Sequence, residues 1–343
     1  MNNTLRPSAL DGPLRRVCLT PVRNEAWIID RFLAAAKTWA SDIIVADQAS
    51  TDGTVDQVQQ TAGVDLVVND SGGYDEQHRQ NLLLGKARQV PGRRLLIALD
   101  ADEALSANSL TSDEWRRLET LPPGAIVRFR WVNILPGFKQ AWIPPQPSAF
   151  GFVDDGSDHN GTRIHSPRVP QPPGAPIVDM KEVVVLHFQY VAWERMMSKH
   201  RWYQAWEHIK NCQKSAVQIF RQYHHMFGSW HRSEIHPVRR EWLDGYRHLG
   251  IDFESLRSEP TTWWDVEVLA MLQRYGVEHF RKIDIWEHDW NAVAARVGKR
   301  NRDLSDPRSR FEKTAHLLLR ATQGYRSNVA VRAFERGLQL AGW

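Results

Sequence analysis

Three carboxylates fall within four consecutive residues, Asp100-Ala101-Asp102-Glu103, directly after the apolar run that starts at Arg94. Acids packed that closely repel one another unless a divalent cation or a shared proton resolves the repulsion. Oxygen-only ligands suit Mg²⁺ or Mn²⁺, which also bind phosphate oxygens. Two other apolar runs end in polar clusters, Thr20-Pro21-Val22-Arg23-Asn24-Glu25 and Asp47-Gln48-Ala49-Ser50-Thr51-Asp52-Gly53-Thr54. The alternative use of Asp102 and Glu103 is to cap a following helix. Two further polar clusters in equivalent places favour the cation, and with it the handling of a phosphorylated ligand.

The elements that must position these residues alternate regularly. Arg16–Val22, Asp42–Asp47, Asp65–Asn69 and Arg94–Asp100 are short, rich in Val, Ile and Leu, and bounded by polar turns, which predicts buried strands. Between them, Ala26–Trp39, Asp52–Thr61 and Asp75–Gln89 carry apolar residues at helical spacing, as at Ile28, Phe32, Leu33 and Ala36. Strand–helix–strand alternation at this density predicts an α/β fold, a mostly parallel Rossmann-like sheet with helices on both faces. Ligands of such sheets collect at the carboxyl ends of the strands, where all three polar clusters fall. Ala125–Val132 and Val183–Gln189 read as further strands. The proline- and glycine-rich stretch between Leu135 and Pro176 offers no regular element and reads as a long binding loop or lid. From Trp193 the pattern is helical almost to the end. The expected organisation is a flexible N-terminus over 1–14, a catalytic domain over 15–190 and a helical domain over 191–343.

Competing phosphate signatures are missing: no GxGxxG follows the first strand and no GxxxxGK[ST] occurs. An aspartyl-nucleophile phosphatase would place its DxD at the first strand, not the fourth. The ordered motifs PVRNEAWIIDRFL, ADQASTDGT and LDADE, with Arg79-Gln80-Asn81 between the last two, resemble the nucleotide-binding half of a family 2 glycosyltransferase of GT-A fold. The resemblance runs from Arg16 to about Val132, is loose over Val183–Tyr190, and does not reach the C-terminal third. It implies that Pro21, Arg23 and Glu25 line a nucleoside pocket and that Asp47 accepts a hydrogen bond from the base. It further implies that Arg79 reaches toward the nucleotide, that Asp100 contacts ribose or metal, and that Asp102 is the principal ligand of Mn²⁺ or Mg²⁺. Gln48 departs from the pattern, which often has a second acid there.

That chemistry would transfer a sugar from a nucleotide sugar, most simply UDP-linked, to the hydroxyl of a saccharide or lipid-linked acceptor. An inverting reaction needs a carboxylate within about 3 Å of the acceptor hydroxyl. Asp154, Asp155 and Asp158 in the long loop are candidates, as is Glu194; a retaining reaction needs none of them, and both outcomes stay open. Arg163 and Arg168 supply guanidinium groups suited to phosphate oxygens or to closing the loop. His187, the one ionisable side chain in the apolar run VVVLHFQ, is either a further metal ligand or a core histidine. The rival functions are a nucleotidyltransferase on a similar sheet and a non-catalytic binder of nucleotide sugars.

Composition adds limits. The 343 residues are 42% hydrophobic and 24% charged, a globular balance with no apolar run long enough to span a membrane and no secretory signal, so a cytoplasmic protein is expected. Two cysteines, Cys18 and Cys212, exclude a disulfide framework and a cysteine zinc site. His224, His225, His231 and His236 lack the HExxH spacing of a zinc enzyme. The net charge of +4 is unevenly spread: Lys and Arg number 19 against 22 acids up to Tyr190, and 25 against 18 beyond it. A basic, Trp-rich C-terminal region suits the inner face of a membrane or a charged acceptor as well as a solvated helical surface; no nucleic-acid partner is expected.

Overall fold

Alternation along β1 (Arg15–Val22) sends Val17 and Leu19 to one face of a sheet and Cys18 and Val22 to the other. Both faces are covered, so the run is apolar throughout, as strands buried on both sides are. In the computed structural model, which describes residues 12–70, 73–211, 213–227, 234–257, 261–299 and 303–343, this strand lies near the middle of seven. Most of the segment 1–14, Cys212 and His231 lie outside the described residues.

The chain continues through α1 (Ile29–Ala36), β2 (Asp42–Asp47), α2 (Thr54–Gln60), β3 (Val64–Val68), α3 (Glu76–Ala87), β4 (Arg94–Ala98) and β5 (Glu103–Leu105). There follow α4 (Asp113–Arg117), β6 (Ile126–Phe129), β7 (Trp131–Ile134), β8 (Gln140–Trp142), β9 (Ser148–Val153), β10 (Ile177–Asp179) and β11 (Val185–His187). The large sheet has the order β10-β6-β9-β4-β1-β2-β3, parallel except for β9, which runs antiparallel to both β4 and β6. Helix α1 buries Phe32, Leu33 and Ala36 on one face, and α3 buries Leu83, Leu84 and Ala87 on the other. A small sheet, which β12 (Ile235–Pro237) closes, has the order β12-β8-β7-β11-β5.

Three expectations are corrected here. The stretch Leu135–Pro176 is not wholly irregular: Ser148–Val153 is a buried strand in the middle of the large sheet, hidden between Pro144, Pro145 and Pro147 and the polar run that starts at Asp154. Gly151 is needed there, since a Cβ would meet the Val127 Cβ at 2.8 Å. Ala125–Val132 is not one strand but two, β6 in the large sheet and the start of β7 in the small one, because the chain changes sheets at Arg130. Finally, the chain separates into two compact units, residues up to Val191 with His236–Arg257, and Ala192–Ile235 with Ser258–Trp343. The segment 236–257, expected within the helical part, belongs to the first unit: Trp242, Tyr246 of α7 (Asp244–His248) and Phe253 are buried in its core. Each large side chain fully buried in this way contributes about 1.5–3 kcal/mol.

The second unit is helical: α5 (Trp193–Lys210), α6 (Ala216–Tyr223), α8 (Trp263–Tyr275), α9 (Trp290–Arg296), α10 (Arg310–Ala321) and α11 (Val329–Leu340). The helical pattern from Trp193 breaks first before Ser215, whose side chain caps α6 in a reciprocal box with Gln218. Buried Asp284 is held by Arg308 (2.6 Å) and Arg320 (3.0 Å) and faces His224 at 3.4 Å. Burial pushes His316 down to about 4, against the pull of Asp284, and burial also lowers His200, His208, His225 and His288. A histidine with a depressed folded pKa contributes stability that is present above its unfolded value and lost as pH falls toward the folded one. For His316 that window runs from about 6.5 to about 4. The melting temperature of the full chain should therefore drop steeply on acidification through that window. His316→Gln should flatten the profile by an amount on the order of 3 kcal/mol; an unchanged profile would dismiss His316 as a contributor.

Candidate functional site

Parallel registers pair Val22 with Asp47 and Leu19 with Ala98. The polar clusters after β1, β2 and β4 thus meet on one carboxyl rim. Asn24 (φ +55°) and Ala49 (φ +53°) bend the first two into tight turns that hold each other. The Asn24 amide donates to Ser50 Oγ at 2.8 Å, and its side-chain oxygen accepts from the Thr51 amide at 2.6 Å. Asp52 accepts from the amides of Ala26 (3.0 Å) and Thr54 (3.1 Å). Ser50 and Asp52 therefore carry most of the turn bonds, and Asp47 spends only one of its oxygens there. Its Oδ2 accepts from the Ser50 amide at 3.1 Å, while its Oδ1 is buried without a hydrogen-bond partner among the described residues. A buried acceptor left so costs about 1–3 kcal/mol, more when charged, until a donor arrives.

Pro21, Arg23 and Glu25 lie half-buried on the same rim, and Glu25 Oε2 accepts from its neighbour Trp27 Nε1 at 2.7 Å. Gln48 spans to the segment before α3, donating to the Gly73 carbonyl at 2.7 Å. Arg79, in the first turns of α3, lies over the Tyr74 ring at 5.3 Å and 3.8 Å from Glu76.

At the end of β4 the three acids are held differently. Glu103 is fully buried; its Oε2 accepts from the Asp100 amide at 2.8 Å, and Arg168 grips both its oxygens at 2.7 and 2.9 Å. The same guanidinium reaches Asp100 Oδ2 at 3.0 Å and lies 4.9 Å from the Phe150 ring centroid. Burial pushes Glu103 up to about 7, against the opposing charge of Arg168. Glu103 begins strand β5 and caps no helix. Arg168, expected to meet phosphate or to close the loop, has its fork on two of the three acids, a pairing across 65 residues that no local pattern reveals.

Strand β5 also brings His187 to the site. It pairs antiparallel with β11, setting His187 opposite Glu103, and the Phe188 amide donates to the Asp102 carbonyl at 2.8 Å. His187 Nε2 then lies 3.5 Å from Asp102 Oδ2. On the other side β11 pairs with β7, setting His187 beside Asn133. The Asn133 amide nitrogen donates to the carbonyls of Trp131 (3.4 Å) and Trp142 (3.3 Å), which turns its oxygen toward His187 Nδ1 at 2.7 Å. In that arrangement Nδ1 donates its proton, and the neutral ring turns its Nε2 lone pair toward the Asp102 carboxylate. The ring also stacks on Trp131, centroids 4.7 Å apart. Two electron-pair donors aimed at one another, with a second carboxylate beside them, form a donor set that suits Mn²⁺ or Mg²⁺. Among the described residues no group of three or more His, Cys, Asp or Glu could hold a metal alone, so ligand oxygens would complete any coordination shell.

Two of the loop carboxylates, Asp154 and Asp155, are not brought to this rim. Asp154 follows β9, which runs against β4, and its amide donates to the Arg94 carbonyl at the start of β4. It thus sits about 20 Å from Asp100, six residues of strand away. Its side chain is wholly buried, taken by Arg88 (3.0 Å) and Arg94 (2.9 Å); burial would raise its pKa, but those hydrogen bonds outweigh it and hold the carboxyl low. Asp155 is spent on the same turn, accepting from the Ser157 amide at 2.9 Å, with its other oxygen where a Cβ on Gly124 would be. These two are corrected from candidate bases to structural acids. Asp158 is exposed and lines a hollow of about 270 Å³ with Pro167 and Val169, the neighbours of Arg168. Glu194 lies in the first turn of α5, in the second unit.

No protein-family model matches the chain, and no curated protein matches it either. Solved structures similar over part of it include glucosyl-3-phosphoglycerate synthase from Mycobacterium tuberculosis in complex with Mn²⁺, UDP and glucosyl-3-phosphoglycerate (15% identity, 39% of this chain and 50% of that one, TM-score 0.23). Others are a nucleotidyl transferase from Methanothermobacter thermautotrophicus (14%, 38% and 65%, TM-score 0.22) and mannose-1-phosphate geranyltransferase from Thermus thermophilus (15%, 42% and 50%, TM-score 0.25). The chain spans about half the length of the first of these. At such identities and TM-scores the likenesses have no bearing on what this chain binds.

Proposed function

We propose that the first unit is a GT-A-type, family 2-like glycosyltransferase that moves a sugar from a nucleotide sugar, UDP-linked, to an acceptor hydroxyl in the cytoplasm with Mn²⁺ or Mg²⁺. The observation that carries this reading is Asp102 facing His187 Nε2 across 3.5 Å on the rim that also holds the unpartnered Asp47 oxygen. In this reading Asp47 accepts the imide N–H of the base, Pro21, Arg23 and Glu25 wall the nucleoside, and Arg79 lies along the nucleotide. Asp100 takes the ribose side, Asp102 and His187 hold the metal, and Arg168 keeps Glu103 and Asp100 in place. The chemistry supplied by a bound cation is to offset the charge that grows on the departing diphosphate. The acceptor, a saccharide either free or lipid-linked, gives up its hydroxyl proton to Asp158 if the anomeric configuration inverts.

A panel of nucleotide sugars, scored by release of free nucleoside diphosphate and by proton NMR of the product anomer, tests the reading. Pyrophosphate in place of nucleoside diphosphate would assign the site to nucleotidyl transfer, and no turnover with any donor, acceptor and metal would leave a binder. Asp47→Ala should weaken UDP binding in calorimetry by about 10- to 100-fold, the scale of one hydrogen bond to a charged group; unchanged affinity would misplace the base. His187→Ala should lower Mn²⁺ affinity, read from the free-ion signal in paramagnetic resonance, by at least about tenfold, and Asn133→Leu by a smaller factor through loss of ring orientation. A variant at position 187 with wild-type Mn²⁺ affinity would return His187 to the core.

A further inference from the structure

Eleven large apolar side chains are exposed among the described residues, and six of them crowd into the last part of the chain: Phe311 (60%), Leu317 (67%), Leu318 (45%), Tyr325 (63%), Val329 (80%) and Leu340 (84%). They belong to α10, α11 and the turn between them. Phe311 at the start of α10 lies 6.3 Å from Trp343 beyond the end of α11, so the two helices run as an antiparallel hairpin. Both lean on α6 through Arg221, which donates to the Leu319 carbonyl, Gln323 and Glu335. The inward faces are apolar in the ordinary way, with Ala315, Leu319, Val331 and Leu338 buried. The outward face of α11 mixes apolar and cationic side chains: Val329, Ala333 and Leu340 are exposed at helical spacing, with Arg336 among them.

Charge identifies what covers this face. Residues 310–343 hold six Lys and Arg and two acids. Both acids are engaged elsewhere, Glu312 with Arg281 and Glu335 with Arg221. Arg310, Lys313, Arg326, Arg332 and Arg336 are exposed, and of these only Lys313 has an ion-pair partner among the described residues, Asp306 at 3.2 Å. A second copy docked here would set cations against cations. A nucleic acid would answer the arginines and leave six apolar side chains without a partner. An anionic bilayer answers both, since apolar side chains enter the acyl boundary while arginines stay at the headgroups. No helix of the described residues is long and apolar enough to cross a membrane, so the contact is one of lying on the surface.

We propose that the outward face of the α10–α11 hairpin docks the protein on an anionic lipid surface. The inference does not rest on the transferase reading. Flotation of the full chain with vesicles of phosphatidylcholine alone, and with about one third phosphatidylglycerol, tests it, and bound fraction on the anionic vesicles should be at least about tenfold higher. The double variant Val329→Asp with Leu340→Asp should lose that binding with an unchanged melting temperature, because neither side chain is packed. Arg332→Glu with Arg336→Glu should lose it too, and salt should weaken the wild type. Absence of binding to anionic vesicles at low salt would overturn the proposal. So would binding that survives both double variants, or wild-type dimers in light scattering that Val329→Asp with Leu340→Asp breaks while vesicle binding persists.

Discussion

Asp102→Ala should lower turnover by at least about 100-fold, the scale of one lost electrostatic contact to a transition state. The residue lies on the rim, its side chain 12% exposed and facing a histidine across 3.5 Å. Its removal should therefore leave the melting temperature within a few degrees of wild type. Loss of rate with an intact fold is the signature expected of a group that acts on the ligand. Mn²⁺ affinity measured without donor should fall in parallel, and chelator should silence the wild type to the level of the variant. A variant with wild-type rate, or a wild type indifferent to chelator, would remove the metal from the reaction.

Asp154→Ala should do the reverse. Both its oxygens are buried against Arg88 and Arg94, and the truncation removes four of the seven hydrogen bonds that the two guanidinium groups make. Breaking a buried pair in this way costs about 3–5 kcal/mol, a large part of a domain's net stability. Denaturant unfolding should show the loss directly, and Asp154→Asn, which keeps the shape and some hydrogen bonds, should recover part of it. UDP affinity of whatever folded protein remains should match wild type, because the opposite rim is untouched. A stable Asp154→Ala protein that binds UDP normally yet fails to turn over would restore Asp154 as a base.

The contrast between these two acids shows what the sequence makes legible. Asp102 is marked by its neighbours along the chain, an apolar run before it and two acids beside it, so the rim could be located from local pattern alone. Asp154 sits among three acids in a polar loop and looks equally chemical. Its role depends on β9 running against β4, and no periodicity reveals a six-residue strand set between three prolines and a polar loop. The same holds for Arg168, whose partners stand 65 and 68 residues earlier. His187 was a candidate from its isolation in an apolar run, but Asn133, which orients it, reads as an ordinary strand residue. Period and turn chemistry follow from adjacent residues; pairings between distant segments do not.

The large sheet has all seven of its strands once the chain reaches Asp179, whereas His187 arrives only with the next strand. In chain order the strands of the rim thus come first, and β5 and β7 have two open edges until the segment between them is seated. Such edges invite foreign strands, and the segment that seals them also delivers the imidazole. A one-residue slip in seating it would turn that imidazole to the opposite face. Seating β11 therefore both closes the two edges and sets His187 beside Asp102, so a chain that lacks this pairing should lack the imidazole and be prone to aggregate.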